Sequence, residues 1–222
     1  MPRPRARITG VLFLLAFLMA ALSVFLTPGT PGDILAHETQ FRFGFAVGLI
    51  WIALYLAVTA LFYGLFKPVN RSIALLAAFL SLVGCTIQAF ASLFLLAPFV
   101  VLGGGQYLSA FTADQLHALT QVFLDLYGQA NDIAVVFLGL FDILIGYLIF
   151  RSMFLPRVLG VLMAIGGLGW LIFLAPPLAS HWQIFIDVPG VIAQVALVLW
   201  LLVFGVNVQR LSELAGTRQE AV

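Results

Sequence analysis

Hydrophobic residues in this chain fall in long continuous runs, not in the alternating or half-polar patterns of soluble domains. Following each run to the residues that interrupt it predicts six helices. The first covers 8–26 and stops at Thr27-Pro28-Gly29-Thr30-Pro31-Gly32. The second covers 43–66 and stops at Lys67-Pro68, and the turn that follows is too short to hold a domain. The third covers 72–101, with Pro98 near its far end, and gives way to Gly103-Gly104-Gly105. The fourth, 113–150, contains no proline and opens with a capping-box spacing from Thr112 to Gln115. The fifth covers 157–175 and is closed by Pro176-Pro177. The sixth covers 188–208, its start marked by Asp187 and Pro189, with 181–186 read as a short interfacial turn carrying Trp182. Each run approaches or exceeds the ~20 residues that span a bilayer. The predicted fold is all-α: one polytopic transmembrane bundle of six helices over 1–222, with no linker and no internal repeat.

Composition agrees that the solvent is mostly lipid. Hydrophobic residues make up 63% of the 222 and charged residues 9%, with a mean hydropathy of +1.15, whereas soluble domains are about 25% charged. A net charge of +1 selects no ionic partner, and no basic patch interleaved with aromatics suggests nucleic acid. Cys85 is the single cysteine and lies inside the third run, so it reads as a small buried hydrophobe. Arg3, Arg5 and Arg7 before 8–26 resemble a signal peptide. The run is longer than the ~7–15 residues of a usual signal core and lacks a small-x-small site, so an uncleaved first span is expected.

The charges orient the bundle. With the N-terminus in the cytoplasm, Arg3, Arg5, Arg7, Lys67, Arg71, Arg151, Arg157, Arg210 and Arg218 lie inside and only Arg42 lies outside. That asymmetry places both termini in the cytoplasm, and one helix more or fewer would destroy it. The acids Asp33, Glu38, Asp114 and Asp187 fall on the outer side with His37, His117 and His181, and Glu213 and Glu220 fall in the inner tail. Asp125, Asp132 and Asp142 remain on the fourth helix.

Counting inward from Arg151 at ~1.5 Å per residue puts Asp142 ~13 Å deep, near the middle of a ~30 Å hydrocarbon core. By the same count Asn131 and Asp132 lie ~28–30 Å away, at the outer boundary, and Asp125 lies ~39 Å away, beyond it. The fourth helix therefore projects outward, and Asp142 is the intramembrane acid. A mid-bilayer charge costs about 2.5–3.5 kcal/mol, and no span carries a basic residue, so a neutral acid hydrogen-bonded to another helix is expected. Tyr55 and Thr59 are the candidate partners.

Gln121, Asp125, Gly128, Gln129, Asp132, Gly139 and Gly146 share one sector of the fourth helix, with Asp142 to one side. Gln88 and Gln194, each ~24–26 Å from its own inner-end arginine, are expected opposite them. Together these residues, with Tyr127 and Asn131, predict a polar vestibule opening outward between the third, fourth and sixth helices. Gly160, Ala164 and Gly167 make a helix-packing face on the fifth. The histidines His37, His117 and His181 lack the close spacing of a ligand motif, so a metal site is a weak expectation. No P-loop, dinucleotide fingerprint, nucleophile elbow or paired CxxC occurs, and no cofactor is expected.

The chain also resembles a family of bacterial multi-pass membrane proteins, the domain of unknown function 4386. The likeness is carried by Ala6-Arg7-Ile8-Thr9-Gly10, Pro31-Gly32-Asp33, Phe41-Arg42-Phe43-Gly44 and Lys67-Pro68-Val69-Asn70-Arg71. It continues through Phe123-Leu124-Asp125-Leu126-Tyr127-Gly128, Gly146-Tyr147-Leu148-Ile149-Phe150-Arg151-Ser152 and Leu155-Pro156-Arg157-Val158-Leu159-Gly160. The resemblance implies a six-helix membrane domain in bacteria with no established activity, and it offers no catalytic residues to carry over; the bacterial cytoplasmic (inner) membrane is the expected location. Three functions remain open. One is binding or passing a small solute or lipid through the outward pocket. Another is a membrane enzyme using Asp125, Asp132 and His117. The last is a structural or regulatory subunit that binds a membrane-protein partner or a second copy.

Overall fold

The computed structural model describes residues 2–27, 36–103, 108–152 and 154–206, with side chains at all of these except 2–5 and 176–187. Among them there are six long helices and no strands: α1 (Pro2–Leu26), α2 (Glu38–Phe66), α3 (Arg71–Ala91), α4 (Ala113–Arg151), α5 (Arg157–Trp170) and α6 (Pro176–Val203). Five stretches are long and apolar enough to cross a membrane, and the described apolar part of α6, Val188–Val203, is shorter. The protein is a multi-pass membrane protein with an all-helical bundle. Asp33 and the tail 209–222 lie outside the described residues.

Local chemistry sets the helix ends. Thr112 and Gln115 exchange both bonds of a capping box at the head of α4, and the Asn70 side chain accepts from the Ile73 amide at the head of α3. Beyond α3 the rod tightens into a 3-10 stretch, Ser92–Leu96, before resuming as a short helix Ala97–Leu102. Pro98 accounts for this, because its ring opposes the carbonyl four residues earlier and it has no N–H to donate.

The last two helices differ from the predicted boundaries. Pro176-Pro177 does not close α5, which tapers through a 3-10 stretch at Leu171–Leu174; it opens α6 instead. A helix's first turn has no use for its N–H groups, so two prolines initiate as readily as they terminate. Residues 181–186 are thus helical and not an interfacial turn, and Pro189 sits inside α6, not in its first turn. Proline is tolerated in membrane helices where neighbours satisfy the freed backbone. α6 also ends early, at Val203. Gly205 follows in the left-handed conformation, at φ 66°, with its amide on the Trp200 carbonyl.

Each helix packs against the next in sequence, and α1 closes the ring against α6. Within this ring α4 is the most enclosed. In its most apolar window 56% of residues are buried against 22–33% in the other four spans, so its neighbours, not lipid, set its surroundings. The centre is aromatic: Phe13, Tyr55, Phe62, Phe66, Phe141 and Phe154 meet through ring contacts with centroids about 6 Å apart.

The closest approach joins α4 to α5. A Cβ on Gly146 would stand 2.5 Å from the Gly160 carbonyl oxygen, and one on Gly167 would stand 2.5 Å from that of Gly139. The reverse substitutions, at Gly160 and Gly139, meet the same backbone. In lipid the hydrophobic effect does not draw helices together, so close backbone packing carries the association. The Gly160–Gly167 face is therefore a packing face, as expected from its spacing. Gly139 and Gly146, whose place on the polar sector of the fourth helix suits either close helix contact or ligand approach, make the helix contact, against α5. Polar stitches add to the packing: Thr59 Oγ to Ser81 Oγ (2.7 Å) ties α2 to α3, and Ser23 Oγ donates to the Gly44 carbonyl (2.9 Å) between α1 and α2.

Gly146→Ala is expected to lower stability by about 1–3 kcal/mol, because the methyl meets backbone that cannot yield. Gly64→Ala, with nothing within 4 Å, is expected to be neutral or slightly stabilising. Unfolding titrations with sodium dodecyl sulfate in mixed micelles measure both; equal effects would mean that the glycine contact does not hold α4 to α5.

Candidate functional site

At the end of the bundle remote from the 67–71 and 151–157 turns, α1 and α2 part from α3 and α4. They enclose a cavity of about 560 Å³. Close contact between α1 and α2 shapes its back wall, where Gly44 and Gly48 let Leu26 and Ser23 approach the α2 backbone. One amide–amide pair and one amide–acid pair line its other side. Gln88 Nε2 donates to Asn131 Oδ1 at 2.7 Å across α3 and α4, and Gln121 Nε2 donates to Asp125 Oδ1 at 2.9 Å along α4. The Gln88 Oε1 atom is buried with no partner. Tyr127 also lines the cavity. Among the described lining residues the cavity offers acceptors and one carboxylate to a solute, and none of them is a lysine, arginine or histidine.

Below it lies a second, smaller cavity of about 110 Å³, walled by Phe13 and Phe17 of α1, Trp51 and Tyr55 of α2, Leu138 of α4, Trp170 of α5 and Gln194 of α6. Ala20 and Trp51 line both cavities, so Trp51 stands at the neck between them. Trp170 holds its place because Gly190 has no side chain; a Cβ there would stand 2.8 Å from the indole Nε1.

Asp142 lies one helical turn below Leu138 on the same face of α4. It is 1% exposed, and its Oδ2 accepts from Gln194 Nε2 at 2.8 Å. Its Oδ1 and the Tyr55 hydroxyl are buried with no partner. Thr59, a predicted partner, donates instead to the Tyr55 carbonyl and meets Ser81. Gln194 was expected in the outer half beside the vestibule, by counting from Arg210. Since α6 stops at Val203, counting from there puts Gln194 ~13–14 Å deep, level with Asp142.

The predicted sector is thus divided. Leu124, Asn131, Leu138 and Asp142, spaced by seven, seven and four, form the inward face of α4. Asp125 and Gln121 lie at its edge, exposed; Gln129 is exposed and Asp132 half-buried, and neither lines either cavity. The vestibule is bounded by α1, α2, α3 and α4, not by the third, fourth and sixth helices. His37 and His117 are exposed and line neither of these cavities, and the His181 side chain lies outside the described residues. Among the described residues no three His, Cys, Asp or Glu side chains are placed to hold a metal ion.

Ser23, Gly48, Trp51, Phe13 and Trp170 were not foreseen as lining residues. Trp51 and Trp170 did carry a signal. Tryptophan favours the membrane interface, yet each lies ~20–24 Å from its inner-end basic residue, inside the hydrocarbon depth.

The family described as "Domain of unknown function (DUF4386)" matches residues 8–205. No curated protein matches the chain. No solved structure matches it either.

Asp142→Asn retains an acceptor for Gln194 and is expected to cost less than about 1 kcal/mol. Asp142→Leu strands the Gln194 amide and is expected to cost about 1–3 kcal/mol, much of it recovered in Asp142→Leu/Gln194→Leu. A double-mutant cycle on unfolding free energies measures the coupling; strictly additive losses would mean that the 2.8 Å bond contributes nothing.

Proposed function

Because this chain belongs to the DUF4386 family, whose description assigns no activity, we propose a function from the site's own geometry: it binds, or passes, a small solute through the outward cavity, in the bacterial cytoplasmic membrane. The observation that carries this reading is the 560 Å³ cavity itself, within the ~300–1,000 Å³ of small-molecule sites, with a few polar groups converging on an otherwise apolar wall. The second cavity beneath it supports a path inward. The sequence's excess of Lys and Arg on the opposite end supports an outward orientation.

An enzyme acting at the outer interface has less support. Asp125, Asp132 and His117 ride on one unbroken helix, whose rise separates His117 from them by ~12 and ~22 Å along its axis. Acid–base partners must come within hydrogen-bond reach, about 2.6–3.2 Å. The exposed apolar faces suit lipid as well as a protein partner, so they do not favour a regulatory subunit.

In a Cys85→Ala background, Ser23→Cys and His117→Cys are expected to react with a membrane-impermeant maleimide added outside intact cells. Val69→Cys is expected to react only after permeabilisation. The reverse pattern would overturn the orientation, and a Ser23→Cys that reacts from neither side would overturn the open cavity.

A further inference from the structure

The smaller cavity has a more specific chemistry than the vestibule above it. Five of its lining residues are aromatic, contributed by three helices, and four of them already meet: Phe13 with Phe17 (5.9 Å between centroids), Phe13 with Tyr55 (6.0 Å) and Trp51 with Tyr55 (6.1 Å). Its polar groups are few. Gln194 is 4% exposed and already engaged by Asp142, and Tyr55 is 4% exposed with an unpartnered hydroxyl. Asp142 does not line the cavity; it stands behind Gln194, which it holds at 2.8 Å, one helical turn from the lining residue Leu138, and its Oδ1 has no partner. Among the described residues no lysine, arginine or histidine is buried, so no side chain of the bundle core offers this carboxyl a positive charge.

We infer that this aromatic-walled cavity binds a small organic cation, an alkylated ammonium group, with ring faces around it and the Asp142 carboxylate balancing its charge. Aromatic faces carry negative potential and attract cations, and cages of rings recognise quaternary ammonium groups for that reason. An acid beneath the cage makes the site selective for charge as well as shape. The volume of about 110 Å³ equals roughly three to four waters, room for a methylated ammonium head and not for a bulky ring system. A neutral apolar solute would fill the cage but bring no charge to balance the Asp142 carboxylate. An anion would meet a carboxyl and π faces, both repulsive. The approach favours the same class. Asp125 lies at the rim of the outer cavity, and Arg42, near the head of α2, is engaged by Glu38 at 2.7 Å and by the Phe99 ring.

This inference names the solute class for the outward-cavity reading and depends on that reading only for the route of entry. Binding is therefore tested on the full chain in detergent, where both faces are open. The probe is tetramethylammonium chloride, with neopentyl alcohol as a neutral compound of similar shape and sodium chloride as the ionic-strength control. Tryptophan fluorescence and thermal unfolding are read together. A saturable response to tetramethylammonium alone is expected, weakened about tenfold or more by Asp142→Asn and about threefold or more by Phe17→Leu, which removes a ring and keeps an apolar wall.

Equal responses to the cation and the neutral compound would overturn the inference, as would undiminished affinity in Asp142→Asn. No saturable response at any concentration distinguishable from sodium chloride would overturn it too. Should Asp142→Asn fail to fold, Phe17→Leu carries the test, and unchanged affinity there removes the cage. External labelling of Ser23→Cys without any cation response would leave the outward cavity standing and remove only the deep site.

Discussion

The contact between α4 and α5 governs how everything else in this bundle is aimed. Gly139 and Gly146 meet Gly167 and Gly160 with no room for a single methyl, and in lipid such close approach is a main source of helix association. Once that edge of α4 is committed to α5, the helix has no rotational freedom left. The face carrying Leu124, Asn131, Leu138 and Asp142 must then point into the ring. Asp132 is turned aside from both cavities and Asp125 reaches only the rim of the outer one, although both share a sector with the glycines.

Enclosure of α4 changes the status of its polar residues. On a lipid-facing helix Asp142 would be an expense of several kilocalories per mole. Inside the ring it meets Gln194, while Gln88 and Asn131 close a similar bond nearer the outer end. Each bond is modest, of order 1 kcal/mol in membrane proteins, but each also fixes which residues of α3 and α6 stand level with α4. The two cavities are the spaces left between these fixed levels, with Trp51 at the neck.

Glycine and tryptophan are used in complementary ways on the two sides of this axis. Absent side chains at Gly139 and Gly190 admit Trp170 to the wall of the deep cavity, and those at Gly44 and Gly48 let α1 lie against α2. The aromatic bulk then shapes a cage that aliphatic side chains, with their flexible rotamers and no π faces, would not provide.

Much of this was legible from the order of residues alone. Run length and composition determined the helical membrane class and six helices, because lipid leaves the backbone no other way to satisfy its hydrogen bonds in a chain of such long apolar runs. Periodicity identified the α5 packing face, and depth counting picked Asp142 as the buried acid. The sequence could not decide which way α4 turns, since acids, amides and glycines occupy one sector and only contact with α5 selects among them. Nor could it decide whether Pro176-Pro177 ends one helix or begins the next, because proline suits both places. The pairing of Asp142 with Gln194 depended on where α6 stops, and the cavities depend on which helices close the ring. Those are relations between segments far apart in the chain, and they exist only once the helices have packed.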